Sequence, residues 1–271
     1  MLKPRATKLL AHERPGLSLF SALLLLALIA VVLVTIVRTM RHKLAVVRTA
    51  GGVSAPAVRD GRATPMARPP VNPGFEGCPP EGDGGDRELN RLKNRVDTAT
   101  WVATPFTKVL DLTWPRRVVR HTRSDWSIAD SVKVGKSEGL PVAVEGYFAG
   151  AKQEGPEATN CHGADARFRD WHLWLAAEPG KDRRRSIVVE TTPEVRATHP
   201  EWSLALIHKL VRDSTPVRVS GWLMLDPDHP EQLGKTRGTL WEIHPVLRIE
   251  VMRSGRWTEL SSRAAEDSTS P

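Results

Sequence analysis

Two acid-x-His pairs are the residues in this chain whose types and spacing carry chemistry. Asp170 and His172 stand in DWHLWLA, and Glu242 and His244 stand in WEIHPV. In an extended strand alternate side chains share a face, so each pair presents a carboxylate and an imidazole side by side. Asp226, Asp228 and His229 add a third group in LDPDHP. Carboxylate and imidazole suit zinc or another divalent ion, which makes Asp170, His172, Asp228, His229, Glu242 and His244 the candidate metal set. The spacing is not that of a dedicated zinc motif such as H-E-x-x-H. The structural alternative has the same groups hydrogen-bonded to one another and to loop backbone, and it is preferred. The expectation is therefore no catalytic residue and no cofactor, with zinc as the alternative.

Other polar and aromatic residues fall on the same alternation. Trp174 follows His172, and Glu145, Tyr147 and Glu190 occupy the corresponding face of their strands. Arg218 and Trp222 belong to that face on a later strand. The run Arg183 to Arg185 is expected to be a solvated charge run; the alternative joins it with Lys235 and Arg237 in a cationic rim on loops. The binding candidates are thus Asp170, His172, Trp174, Arg218, Trp222, Lys235, Arg237, Glu242 and His244. There is no Gly-rich phosphate loop, no G-x-S-x-G elbow and no CxxC pair in the sequence.

The elements that must position these groups follow from periodicity. From residue 140 the period is two. PVAVEGYFAG sets Val142, Val144 and Phe148 inward, and DWHLWLA and SIVVETTP follow as second and third strands. Trp202, Leu206 and Leu210 fall at helical spacing. VRVSGWLMLD and TLWEIHPVLRIEVM complete the series, with Pro245 predicting a bulge or bend. Three strands, one helix and two strands is the order of an OB-like five-stranded barrel, mainly β, with long first and fourth loops flanking the ligand face. The alternation puts His172 and His244 outside the barrel, because Trp171, Leu173, Trp241 and Ile243 take the inward positions.

The rest of the 271-residue chain divides by composition. Residues 1–16 form a basic tail. Leu17 to Val37 is a run of 21 residues without a charge, long enough as a helix to cross a bilayer about 30 Å thick. Residues 38–85, rich in Pro, Gly and Arg, cannot bury enough apolar area to order themselves and are expected to be an extended linker. Residues 86–139 open with a short amphipathic helix, DRELNRLKNRVD, capped by Asp86, and continue through an irregular or extended TPFTKVLDLTWP. The barrel occupies 140–253 and a tail 254–271. All nine Trp lie beyond residue 100, where a core is to be built.

The strings GDRELNRLKNRVD, DWHLWLA, VVETTPEVR, GWLMLDPDHP and WEIHPV resemble a group of bacterial membrane-anchored or envelope proteins with an OB-like domain and no defined activity. The resemblance covers about residues 78 to 250, with WEIHPV its most specific part, and implies the fold alone. The barrel order is also similar to staphylococcal-nuclease-like domains. That family's arginine and carboxylate catalytic set has no matching positions here.

Together these readings give an expected single-pass protein of the bacterial inner (cell) membrane, with its C-terminal domain extracytoplasmic. Basic residues flank residues 17–37 equally, so charge does not orient the span; a short tail before one span is the signal-anchor layout. The expected function is binding or interaction of an envelope protein or anionic glycan. Nucleic acid is not an expected partner in that location. A metal-dependent or nuclease-like hydrolase is the alternative. Cys78 and Cys161, the only cysteines, are expected to pair in an oxidising compartment.

Overall fold

The computed structural model describes residues 74–261. The tail, the apolar run at 17–37 and most of the linker lie outside the described residues, as do residues 262–271. Among the described residues no helix is long and apolar enough to cross a membrane.

Five strands close into a barrel. They follow a two-residue strand β1 (Val102–Ala103) and are β2 (Pro141–Gln153), β3 (Trp171–Ala176), β4 (Ile187–Thr191), β5 (Pro216–Leu225) and β6 (Trp241–Arg253). β2 pairs antiparallel with β3, β3 with β4, β6 with β5, and β5 with β2, while β4 and β6 run parallel. The β2–β5 pairing removes the open edge, and the strand alternation fills the interior. Val142, Val144 and Phe148 meet Leu173, Leu175, Val189, Val219, Leu223, Trp241 and Ile243 in one core. Trp171, expected inward, is only partly buried at its margin.

The ladder slips on β5 around Gly221, opposite Val246 and next to the predicted bend at Pro245. A Cβ at Gly221 would lie 2.2 Å from the Pro245 carbonyl oxygen, so the crossing of the two strands there admits only glycine.

Between β4 and β5 the chain forms two helices where one was expected. Thr192 accepts a hydrogen bond from the Val195 amide and caps α4 (Pro193–Ala197), with Pro193 at the first helical position. α5 (Leu204–Arg212) starts at Ser203 and sends Leu206, Ile207 and Leu210 into the barrel core. Trp202 precedes this helix and is still buried.

Residues before the barrel wrap it. α1 (Arg87–Lys93) begins at Asp86, whose carboxylate accepts from the Glu88 and Leu89 amides as expected. The helix is shorter than its apolar spacing suggested, and Val96 lies beyond it and exposed. The segment read as extended or irregular holds α2 (Phe106–Leu110), and α3 (Ile128–Val134) follows.

Two boundaries differ from expectation. The last residues of the linker, from 74, are structured: Phe75 and Cys78 bridge, and Asn94 donates to the carbonyl of Pro80. At the other end the sheet continues past residue 253 into β7 (Arg256–Glu259), and Leu260 is buried.

Candidate functional site: a charged layer beneath a cleft

The outer face of β3, β4 and β6 carries the polar alternation that the sequence placed there, but it does not face solvent. α1 and the loop after β2 cover it. A disulfide between Cys78 and Cys161 joins those two pieces of chain. Asn94 donates to the carbonyls of Pro80 and Thr159, at 3.0 Å each, and Thr159 donates to Asn90 at 2.9 Å. Gly82 allows the closest approach: a Cβ there would meet the Ala158 carbonyl oxygen at 2.1 Å. His172, Glu190, Glu242, His244 and Asp170 are consequently all buried. The expectation that the two histidines point away from the barrel core is compatible with this, since a second layer encloses them.

These groups form one continuous chain. His172 faces Glu190 directly across the β3–β4 ladder, and the parallel β4–β6 pairing brings β6 alongside. His172 Nδ1 lies 2.5 Å from Glu190 Oε1 and 3.0 Å from Glu154 Oε1. Glu190 Oε2 lies 3.3 Å from His244 Nδ1, and His244 Nε2 lies 3.6 Å from Asp170 Oδ2. Asp170 in turn accepts from the Asn160 amide at 2.9 Å. On the other side Arg237 donates to Asp226 at 2.8 Å and to Glu242 at 2.7 Å, and His229 lies 2.8 Å from Asp226.

Above this layer a cavity of about 420 Å³ opens between the loop after β2 and the loop after β5, with α1 as one wall. Seven carboxylates line it against Lys93, Lys152, Arg237 and three histidines.

The ionisation of the groups follows from burial set against neighbours. Burial alone would lower His172, but hydrogen bonds to Glu154 and Glu190 outweigh it and push the imidazole up to about 9. Asp226 is held well below the usual carboxylate range, since His229 and Arg237 overcome its burial. Burial wins at Glu157, which is pushed up to about 7 against the opposing charge of Lys93. Asp170 is raised by burial and the nearby Glu190. Lys93 is raised because Glu157, Glu190, Asp226 and Glu242 outweigh its desolvation. Such opposed shifts in one cleft mark a functional-site candidate.

The structure separates the residues that the sequence grouped. His172, Arg237, Glu242, Asp228 and His229 line the cavity. Asp170 and His244 lie beneath it, fully buried. Arg237, read as a solvated loop residue or part of a cationic rim, is 1% exposed and committed to Asp226 and Glu242, because a buried guanidinium needs both carboxylates. Lys235 is exposed outside the cavity lining, and Arg184 of the basic run pairs with Asp182 on the β3–β4 loop.

Three other binding candidates are occupied elsewhere. Trp222 lies under the Arg95 guanidinium, 3.5 Å from its ring centroid, and donates to the Asp97 carbonyl. Arg218 grips Glu250 with two bonds of 2.7 Å. Trp174 packs against Ala149 and Val188 under Arg183, outside the cavity lining, although its ring touches that of His172 with centroids 4.5 Å apart.

Sequence reasoning placed Glu190 on the right face without naming it a site residue, and missed Glu154, Glu157 and Lys93. Glu154 and Glu157 lie in a long polar loop with no period to read, and Lys93 in an ordinary amphipathic helix. No family model matches the chain, and no curated protein or solved structure matches it.

Proposed function

We propose that this chain is a membrane-anchored binding module. In this reading Leu17 to Val37 holds an OB-like barrel outside the cytoplasm of a bacterial cell, and the cleft over β3, β4 and β6 takes an envelope ligand. The closed barrel supports the OB-like assignment: its spatial strand order is first, second, third, fifth, fourth, with helices between the third and fourth. The Cys78–Cys161 disulfide supports the oxidising compartment.

The observation that carries the reading is the position of the cavity. It lies between the first and fourth barrel loops and over the second and third strands, the face on which OB folds bind oligonucleotides and oligosaccharides. Its excess of carboxylates opposes a polyanion. An anionic glycan would have to sit on the exposed basic tip around Arg183 instead. The cleft suits a hydroxyl-rich sugar segment carrying an amine, for which carboxylates are acceptors and counter-charges.

Calorimetric titration of the full chain in detergent with a glucosamine tetramer tests this. Saturable heat is expected, and it should be lost in the Asp228→Asn variant. No heat with the tetramer, but saturable heat with a heparin fragment, would overturn the cleft as the ligand seat.

A metal-dependent or nuclease-like hydrolase is the second reading. It is favoured by the carboxylate–imidazole groups Glu154, His172, Glu190 and Asp170, Glu190, His244, whose ligand atoms lie within 4.8 Å of one another. It requires an ion with a position open to the cleft.

A further inference from the structure

His244 is fully buried, and neither ring nitrogen has a hydrogen-bond partner among the described residues. The same is true of Asp170 Oδ2. These orphaned atoms face one another and Glu190. His244 Nε2 is 3.6 Å from Asp170 Oδ2, and His244 Nδ1 is 3.3 Å from Glu190 Oε2. Such separations exceed the usual N–H···O distance of about 2.9–3.0 Å. The first, to Nε2, matches the spacing of about 3.3–3.6 Å between two donors that share an ion at roughly 2.0–2.2 Å in tetrahedral geometry, and one ligand atom from each of Asp170, Glu190 and His244 lies within 4.8 Å of the others. Leaving a buried carboxylate and imidazole unsatisfied is costly, whereas an ion bound to them satisfies both.

We infer that Asp170, Glu190 and one imidazole nitrogen of His244 form a buried three-ligand site for a divalent transition ion of the zinc class. With Nε2 as the ligand, Nδ1 as N–H has Glu242 Oε2 at 3.8 Å, a carboxylate outside the ligand set that can orient the ring. Supporting contacts are already present. Asn160 holds the second oxygen of Asp170 at 2.9 Å, and His172 holds the second oxygen of Glu190. Imidazole with carboxylates selects zinc or a neighbouring transition metal over calcium or magnesium, which prefer all-oxygen sets. The site lies beneath the cleft and shares with it only Glu190 among the three ligands. It makes the ion a fastener of β3, β4 and β6 and does not depend on the glycan reading.

The test is elemental analysis of the full chain, purified in detergent without chelators and without a metal-affinity column. About one zinc-class ion per chain is expected, and stripping it should lower the melting temperature, which added zinc restores. Asp170→Asn and His244→Gln should each lose the ion, while Asp228→Asn, in the cleft but outside the cluster, should keep it. Because wild type is read directly, a variant that fails to fold does not obscure the result. Wild type without stoichiometric metal, and with a melting temperature indifferent to zinc and manganese, would overturn the proposal. Loss of the ion in Asp228→Asn would overturn the assignment of ligands. The glucosamine titration reads a different site, so either proposal can fail while the other stands.

Discussion

The barrel interior and the charged layer outside β3, β4 and β6 are equally dry, but different physics holds them. Leu173, Leu175, Ile187 and Ile243 are 2% exposed or less, and so are Asp170, Glu242, His244 and Arg237. The interior is non-directional: apolar side chains gain by leaving water, and any well-shaped neighbour serves. The charged layer is directional. Each carboxylate there is tolerable only while a particular cation stays in place, and the cover that excludes water is tied on through one disulfide and a few amide side chains. The interior should therefore yield gradually to substitution, and the charged layer abruptly.

The largest expected effect comes from releasing the cover. The Cys78–Cys161 bond closes a loop with a sequence separation of 83, worth about 4–5 kcal/mol in the chain-entropy model. Cys161→Ser should lower the unfolding free energy in urea by about that amount, and amide exchange on β3 and β4 should rise more than on β5. A loss below about 1 kcal/mol would mean that the unfolded chain is not expanded by reduction, or that strain offsets the gain.

Arg237→Met sharpens the contrast between regions. It removes the guanidinium that Asp226 and Glu242 share, leaving Asp226 to His229 alone and Glu242 without a hydrogen-bonded cation, and should cost about 3–5 kcal/mol, measured by chemical denaturation. Ile243→Val, next to Glu242 on the inner face of β6, should cost only about 0.5–1.5 kcal/mol. Adding Asp226→Asn and Glu242→Gln to Arg237→Met should recover much of the loss, since it is the unpaired charge that is expensive. Equal costs for the two single substitutions would erase the distinction.

The smallest effect is pH-dependent. Glu157 is raised from 4.5 to about 7 by burial, with Asp170 and Glu190 adding to the shift and Lys93 and His244 opposing it. A carboxyl raised in the folded state keeps its proton when the unfolded chain has lost it. Its contribution is therefore greatest below pH 4.5 and declines as the pH rises to about 7. Relative to Glu157→Gln, wild type should lose on the order of 1 kcal/mol across that window, a figure discounted because the side chain is part exposed. Paired melting curves from pH 4 to 8 check this, and parallel curves would remove Glu157 from the layer's electrostatics.

Much of the architecture was legible because alternation is a local property. Val142, Val144 and Phe148 announce an inward face whatever surrounds them, and Pro245 announces the irregularity beside Gly221. The Asp86 cap and the cysteine pair were legible for the same reason, since few alternatives exist for a cap before a periodic run or for two cysteines. The site was legible by half. Acid-x-His spacing set Asp170, His172, Glu242 and His244 on one side of the sheet, but the parallel contact of β4 with β6 is what adds Glu190 between the histidines. Arg237 was misplaced because an arginine in a polar loop reads as solvated until its partners are known.

The sequence by itself determined which faces of the strands are apolar and which polar, and where the chain turns. Those depend on side-chain period and on local backbone preference. Only the tertiary structure decided that the polar face is roofed over. Whether a carboxylate meets water or a guanidinium depends on segments far apart in the chain, here residues 74–97 and 154–162 folded onto β3, β4 and β6. Burial then converts ordinary Asp, Glu and His into a coupled charge network, because the same groups that are cheap in water must each find a partner once water is excluded.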